Sequence, residues 1–124
     1  MKFIASLVII ALAAISSVAA EGCFSGGQPG SCDDAAYTFC KDMLKINGGK
    51  ASTALGDSER RSRCYNTSRG YKCDMRVLNK KSSTRTITEQ DCGSAMFING
   101  NCDNGGKKTI NGIEYTADPN EGSC

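Results

Sequence analysis

Histidine and tryptophan are both missing from this 124-residue chain. Without histidine there can be no Ser–His–Asp or Cys–His nucleophilic site and no His-assisted ribonuclease chemistry, and the commonest metal ligand is gone. Without tryptophan, and with four tyrosines and four phenylalanines, the chain has few large side chains with which to fill a core. At least seven residues separate every cysteine from the next. That spacing rules out zinc-ribbon and thioredoxin-like pairs. Gly26-Gly27 precedes no expected strand and has no Lys-Ser pair after it, so no phosphate loop is present. Glu89, Asp91, Glu114 and Asp118 could in principle supply the two carboxyl groups of a glycoside hydrolase. Helix starts and turns already account for Glu89, Asp91 and Asp118, and no feature of the sequence makes any two of the four converge. The expectation is therefore no catalytic residue, no metal site and no cofactor, in a protein that is not an enzyme.

What the chain does have is cysteine behind an apolar leader. Met1-Lys2-Phe3 opens a short positive segment, Ile4 to Ile15 is almost unbroken apolar sequence, and Ser16 to Ala20 supplies small residues, with Val18 and Ala20 placed for cleavage. This is the pattern of a secretory signal peptide, and the run is too short to span a bilayer. The expected division is a signal peptide over 1–20 and one disulfide-rich secreted domain over 21–124, extracellular and with no membrane partner. Cys23, Cys32, Cys40, Cys64, Cys73, Cys92, Cys102 and Cys124 all follow the leader. An even number in an oxidising compartment implies four bridges, but spacing alone leaves 105 pairings open. If Arg69-Gly70 formed a two-residue turn, Cys64 and Cys73 would share a sheet face diagonally and would reach other elements rather than each other.

Local patterns suggest a small α+β single domain, an antiparallel sheet with two helices held by four disulfides. Residues 23–30 read as irregular. Ser31 or Asp33 looks like the cap of a helix over 33–47, with Ala36, Phe39, Cys40, Met43 and Leu44 at helical spacing and a stop at Asn47-Gly48-Gly49. Lys50 to Gly56 reads as a connector. Residues 60–66 and 71–78 read as strands around Ser68-Arg69-Gly70, and 84–88 as a third. Thr88 caps a short helix over 89–98 that ends at Asn99-Gly100. Asn111-Gly112 joins 107–110 to 113–116 as a hairpin, and 118–123 reads as a closing turn.

Charge is uneven. Residues 60–88 contain nine basic side chains and a single acid, Asp74. Arg60, Arg61, Arg63, Arg76 and Arg85 form a candidate basic patch for an anionic partner, against the plainer reading of Lys and Arg on a solvated, association-blocking strand. With Tyr65 and Tyr71 as the aromatics of that region, there is no base-stacking platform, and nucleic acid is not the expected partner. Asn66-Thr67-Ser68 is an N-glycosylation sequon beside a turn. Asn99, Asn101, Asp103, Asn111, Tyr115 and Asp118 offer amides, carboxylates and a ring suited to sugar hydroxyls, though Asn and Gly also serve turns.

Three stretches carry a resemblance: Cys23-Phe24-Ser25-Gly26-Gly27, then Asn99-Gly100-Asn101-Cys102 with Gly105-Gly106, then Asp118-Pro119-Asn120-Glu121-Gly122-Ser123-Cys124. Together they resemble the small secreted fungal cysteine-rich proteins that include the ink-cap mushroom glycan-binding protein. The resemblance implies a sandwich-like domain of helices and sheet, β-mediated homodimerisation, and a glycan or glycoprotein partner. The leading expectation is a secreted, lectin-like, non-enzymatic binding protein. The alternative is a secreted effector, toxin or inhibitor that binds a host or competitor protein.

Overall fold

The computed structural model describes residues 22–45 and 52–124. The expected leader and the helix stop at 47–49 lie outside the described residues. Within them the order is β1 (Gly22–Cys23), α1 (Asp33–Lys45), β2 (Ser52–Leu55), β3 (Arg60–Asn66), β4 (Tyr71–Asn79), β5 (Arg85–Thr88), α2 (Glu89–Gly100), β6 (Gly106–Ile110) and β7 (Ile113–Glu121). Five strands make an antiparallel sheet in the order β1-β6-β7-β4-β3, and β2 pairs with β5 in a separate ribbon. The domain is α+β, as expected. The connector reading of 50–56 is corrected, because 52–55 is a strand. The third expected strand, 85–88, pairs with that segment and not with the main sheet.

Alternation along β4 divides the two sheet faces. Tyr71, Cys73, Met75, Val77 and Asn79 are buried, while the intervening residues are partly exposed. The buried set meets Ile113, Tyr115, Ala117 and Pro119 of β7, and both helices cover this face. Phe39 and Met43 of α1, Cys92, Ala95 and Met96 of α2, and Leu55 and Ile87 of the ribbon complete the core. Three methionines, flexible enough to fill irregular gaps, take the place of the missing tryptophan.

Local chemistry sets the element ends. Thr88 Oγ1 accepts from the Asp91 amide at 3.1 Å, the expected cap. At α1 the first helical bond runs from the Ala36 amide to the Cys32 carbonyl, so Cys32 takes the cap position. Ser31 Oγ supports it by accepting from the Asp33 amide. Asn99-Gly100 does not stop α2 but lies within its last turn. A Cβ on Gly100 would stand 3.0 Å from the Asp33 Cα and the Cys32 oxygen, so glycine is what allows the two helices to approach there. Asn111 and Gly112 both have positive φ, giving the expected two-residue hairpin. The closing turn expected over 118–123 is corrected, because β7 runs to Glu121. Pro119 is tolerated because β6 pairs with β7 no further than Ala117. Beyond that point one side of β7 is an edge, where a missing N–H breaks no ladder.

The bridges are Cys23–Cys102, Cys32–Cys73, Cys40–Cys92 and Cys64–Cys124, leaving no free cysteine. Cys64 and Cys73 do reach other elements, but not for the geometric reason expected. Tyr65 lies opposite Cys73, so the register places Cys64 on the other face of the sheet. Asn79 is a polar anchor in the core. Its Nδ2 donates to the carbonyls of Leu55, Gly56 and Ser83, and its Oδ1 accepts from the Lys81 amide.

Three outcomes are expected in denaturant titrations of the oxidised protein. Replacing the buried pair, Cys40→Ala with Cys92→Ala, lowers stability by about 4 kcal/mol, from loop entropy together with lost packing. The exposed pair, Cys64→Ser with Cys124→Ser, costs visibly less, because the freed tail can fray without opening the core. Asn79→Leu costs about 3 kcal/mol or more, since several buried backbone groups lose their partner together.

Candidate functional site

The clearest concavity is a cleft of about 310 Å³ between the first half of α1 and the β3–β4 turn. Asp34, Ala35 and Thr38 form the helical wall, with Ser31 and the Cys32–Cys73 bridge at its base. Tyr65, Asn66, Thr67, Ser68 and Arg69 form the other wall. Asp34 and Thr38 are four residues apart, so they stand above one another on the outward side of α1. Tyr37 shares that outward side and is 66% exposed, with Lys41 Nζ over one face of its ring, 5.0 Å from the centre.

The turn is internally fixed. The Thr67 amide and hydroxyl both donate to the Tyr71 carbonyl, at 3.0 and 2.6 Å, and the Arg69 amide donates to Thr67 Oγ1. The Arg69 guanidinium lies 3.8 Å from Asp33 and 5.7 Å from the centre of the Tyr71 ring. Tyr71 in turn donates to the Ser31 carbonyl at 2.8 Å, bracing the cleft floor against the loop before α1. Tyr65 donates to Asp42 Oδ2 at 2.6 Å, which holds the hairpin against the helix. The cleft thus gathers one carboxylate, several hydroxyls, a guanidinium and the Tyr65 ring on a braced frame. That is a set of donors and acceptors for a polyhydroxylated ligand.

The residues singled out from sequence do not form one site. Asn99 and Tyr115 are each 1% exposed and lie in the core, where Asn99 Nδ2 donates to the Tyr115 carbonyl. They are structural, and burial removes them from contact with any ligand. Asn101 caps α2 by donating to the Phe97 carbonyl. The Asp103 carbonyl accepts from the Gly30 amide. Asn111 forms the β6–β7 turn and donates to Asp91. Asp118 lies opposite Asp74 on the face of the sheet away from the helices. Sequence proximity over 99–118 grouped side chains that α2 and the hairpin then separate.

The basic patch divides as well. In β3, Arg61 and Arg63 alternate with Arg60, so they leave opposite faces of the sheet. Arg61 is tied to Glu59, Thr53 and the Ala54 carbonyl. Arg85 lies in the ribbon. Arg76 shares the helix-free face with Arg60. Asn66 of the sequon is exposed, and its Oδ1 accepts from the Cys124 amide at 2.8 Å. Asp34 and Thr38 carried no functional reading in the sequence, Ser68 entered as part of the sequon and its turn, and Arg69 as a turn residue and one of the nine basic side chains. The signal that could have found them is the pairing of outward polar positions on α1 with the turn beside the sequon.

Tyr65 and Tyr115 ionise far less readily than free tyrosine. Burial is the larger cause for both, reinforced by the Asp42 hydrogen bond for Tyr65 and by the charge of Asp91 for Tyr115.

A family model described as glycan binding domain Y3 matches residues 31–124. That range contains the whole cleft. No curated protein matches the chain.

Raised tyrosine values stabilise the fold below about pH 10, the unfolded-state value, and that contribution is lost as pH climbs above it. Spectrophotometric titration of the native protein should therefore show two tyrosines, Tyr65 and Tyr115, resisting ionisation until the chain unfolds. Tyr65→Phe should remove one of the resistant pair.

Proposed function

The chain belongs to the glycan binding domain Y3 family, and from that premise we propose a secreted, non-enzymatic lectin whose sugar site is the cleft between α1 and the β3–β4 turn. The observation that carries the reading is the convergence of Asp34, Thr38, Ser68 and Arg69 on one concavity inside the family-matched range. Sugar hydroxyls present adjacent donors and acceptors, which a carboxylate and a guanidinium can engage in pairs. Tyr37, exposed on the same side of α1, offers a face to the apolar side of a pyranose ring. Secretion is supported by the leader pattern of residues 1–20 and by four bridges, which persist in oxidising compartments.

Homodimerisation is a second element of the proposal. Of the two edges of the main sheet, β1 has two residues and β3 has seven. β3 is therefore the edge long enough to add a second copy. Arg60, Arg61 and Arg63 line it, so two copies would repel each other until that charge is screened.

A glycan array probed with the oxidised protein tests the sugar site. Binding should be confined to a subset of glycans, and Asp34→Asn with Thr38→Ala should weaken the best ligand about tenfold at unchanged Tm. A flat array removes the lectin reading. Light scattering after size exclusion tests the dimer, whose fraction should rise between low salt and about 1 M salt as the Debye length shrinks to ~3 Å. A monomer at every salt concentration removes the β3 interface.

A further inference from the structure

The sheet face away from the helices carries a second, unassigned group of side chains. In β7, Glu114 and Thr116 point to this face, because Tyr115 and Ala117 point to the core. Glu114 is 8% exposed and is ringed by three cations: Arg76 Nη2 at 3.9 Å, Lys80 Nζ at 3.6 Å and Lys107 Nζ at 3.9 Å. Each of these distances exceeds a hydrogen bond. Glu114 is the carboxylate within 4.0 Å of these cations, with Asp74 and Asp118 in the next row of the same face, and two ammonium groups and a guanidinium hold more N–H donors than Glu114 alone can accept.

Thr116 is the second observation. It lies between Lys107 and Arg76 in one cross-strand row. It is 5% exposed, and its Oγ1 has no hydrogen-bond partner among the described residues. Arg76 Nε, next to it, has none either. Unpaired buried polar atoms are costly, and two in one row beside three cationic side chains mark an incomplete constellation. What completes it must accept hydrogen bonds and carry negative charge.

We propose that Arg76, Lys80, Lys107 and Thr116 form an oxyanion site, and that its ligand is the sulfate ester or carboxylate of an acidic sugar residue. The site lies on the sheet face that the helices leave uncovered, separate from the α1 cleft. The oxyanion assignment stands on the geometry alone, whereas the sugar that carries the oxyanion rests on the lectin reading. The site would make the protein discriminate acidic from neutral glycans.

Amide shifts of ¹⁵N-labelled protein titrated with inorganic sulfate, at ionic strength held constant with chloride, test the site itself. Localised shifts in β4, β6 and β7 around Arg76, Lys107 and Thr116 are expected, and no localised shift overturns the proposal. Three tetrasaccharides then test the ligand: heparin-derived, the same with sulfates removed and carboxylates kept, and neutral chitotetraose. Heparin-derived sugar should bind at least about tenfold tighter than the neutral one. Arg76→Gln with Lys107→Gln should abolish that advantage, while Arg85→Gln, an exposed cation of the β2–β5 ribbon, leaves it intact. If removing the sulfates preserves the advantage, carboxylate is the ligand; if it erases the advantage, sulfate is. Equal affinity for acidic and neutral sugars, or equal losses from Arg85→Gln and from Arg76→Gln with Lys107→Gln, overturns the proposal. Sulfate shifts with no binding of any sugar would uphold the oxyanion site and remove the lectin reading instead.

Discussion

Helix α1 is held from two directions by covalent bonds. Cys32, at its start, is bridged to Cys73 in the sheet, and Cys40, two turns on, is bridged to Cys92 in α2. Both bridges lie in the core, among methionines and single aromatic rings. Dispersion and area burial from so few large groups hold a layer weakly, and a bridge closing a loop of 41 or 52 residues contributes about 4 kcal/mol by restricting the unfolded chain. The position of α1 in turn forms the cleft, because one cleft wall is its outward side and the other is the hairpin that Tyr65 and Tyr71 tie to it. The same sulfur atoms thus serve stability and shape together.

The two faces of the main sheet are given different work by the alternation of its strands. Toward the helices β4 and β7 present an apolar layer sealed by Asn79 and Asn99, whose amide nitrogens donate to backbone carbonyls. Away from the helices the same strands present acids and bases in rows: Lys107, Thr116, Arg76 and Ser62 in one, Asp118, Asp74 and Cys64 in the next. A run of basic residues in sequence therefore does not become a basic surface. It becomes two half-runs, mixed with whatever the neighbouring strands contribute.

This explains what could be read beforehand. Signals spanning few residues were legible: the Thr88 cap, the Asn111-Gly112 hairpin, the alternation of 71–78, and the helical spacing from Ala36 to Leu44. Features fixed by distant partners were not. β2 is a strand because β5 lies beside it, and residues 118–121 are extended because β4 provides a ladder. The Ser68-Arg69-Gly70 turn sets a register one residue away from a two-residue turn, enough to send Cys64 and Cys73 to opposite faces. The candidate site failed for the same reason. Asn99 and Tyr115 have the chemistry of ligand contacts, but their positions in α2 and β7 point inward. Asp34 and Ser68 are unremarkable in sequence and meet only after the hairpin docks on the helix.

β7 lies between β6 and β4, yet it is the latest of these strands to leave the ribosome. Until residues 113–121 emerge, β4 has a bare inner edge and its future neighbour is a residue run some 40 positions away, as in the Asp74–Asp118 pair. The nascent polypeptide can form its helices and the β3–β4 hairpin early, but the middle of the sheet closes last, by insertion. During synthesis the early cysteines, Cys23 and Cys64 among them, wait for partners not yet made, Cys102 and Cys124. Correct sulfur pairing is thereby set to follow synthesis of the whole domain, and exchange of premature pairings becomes part of how this architecture is reached.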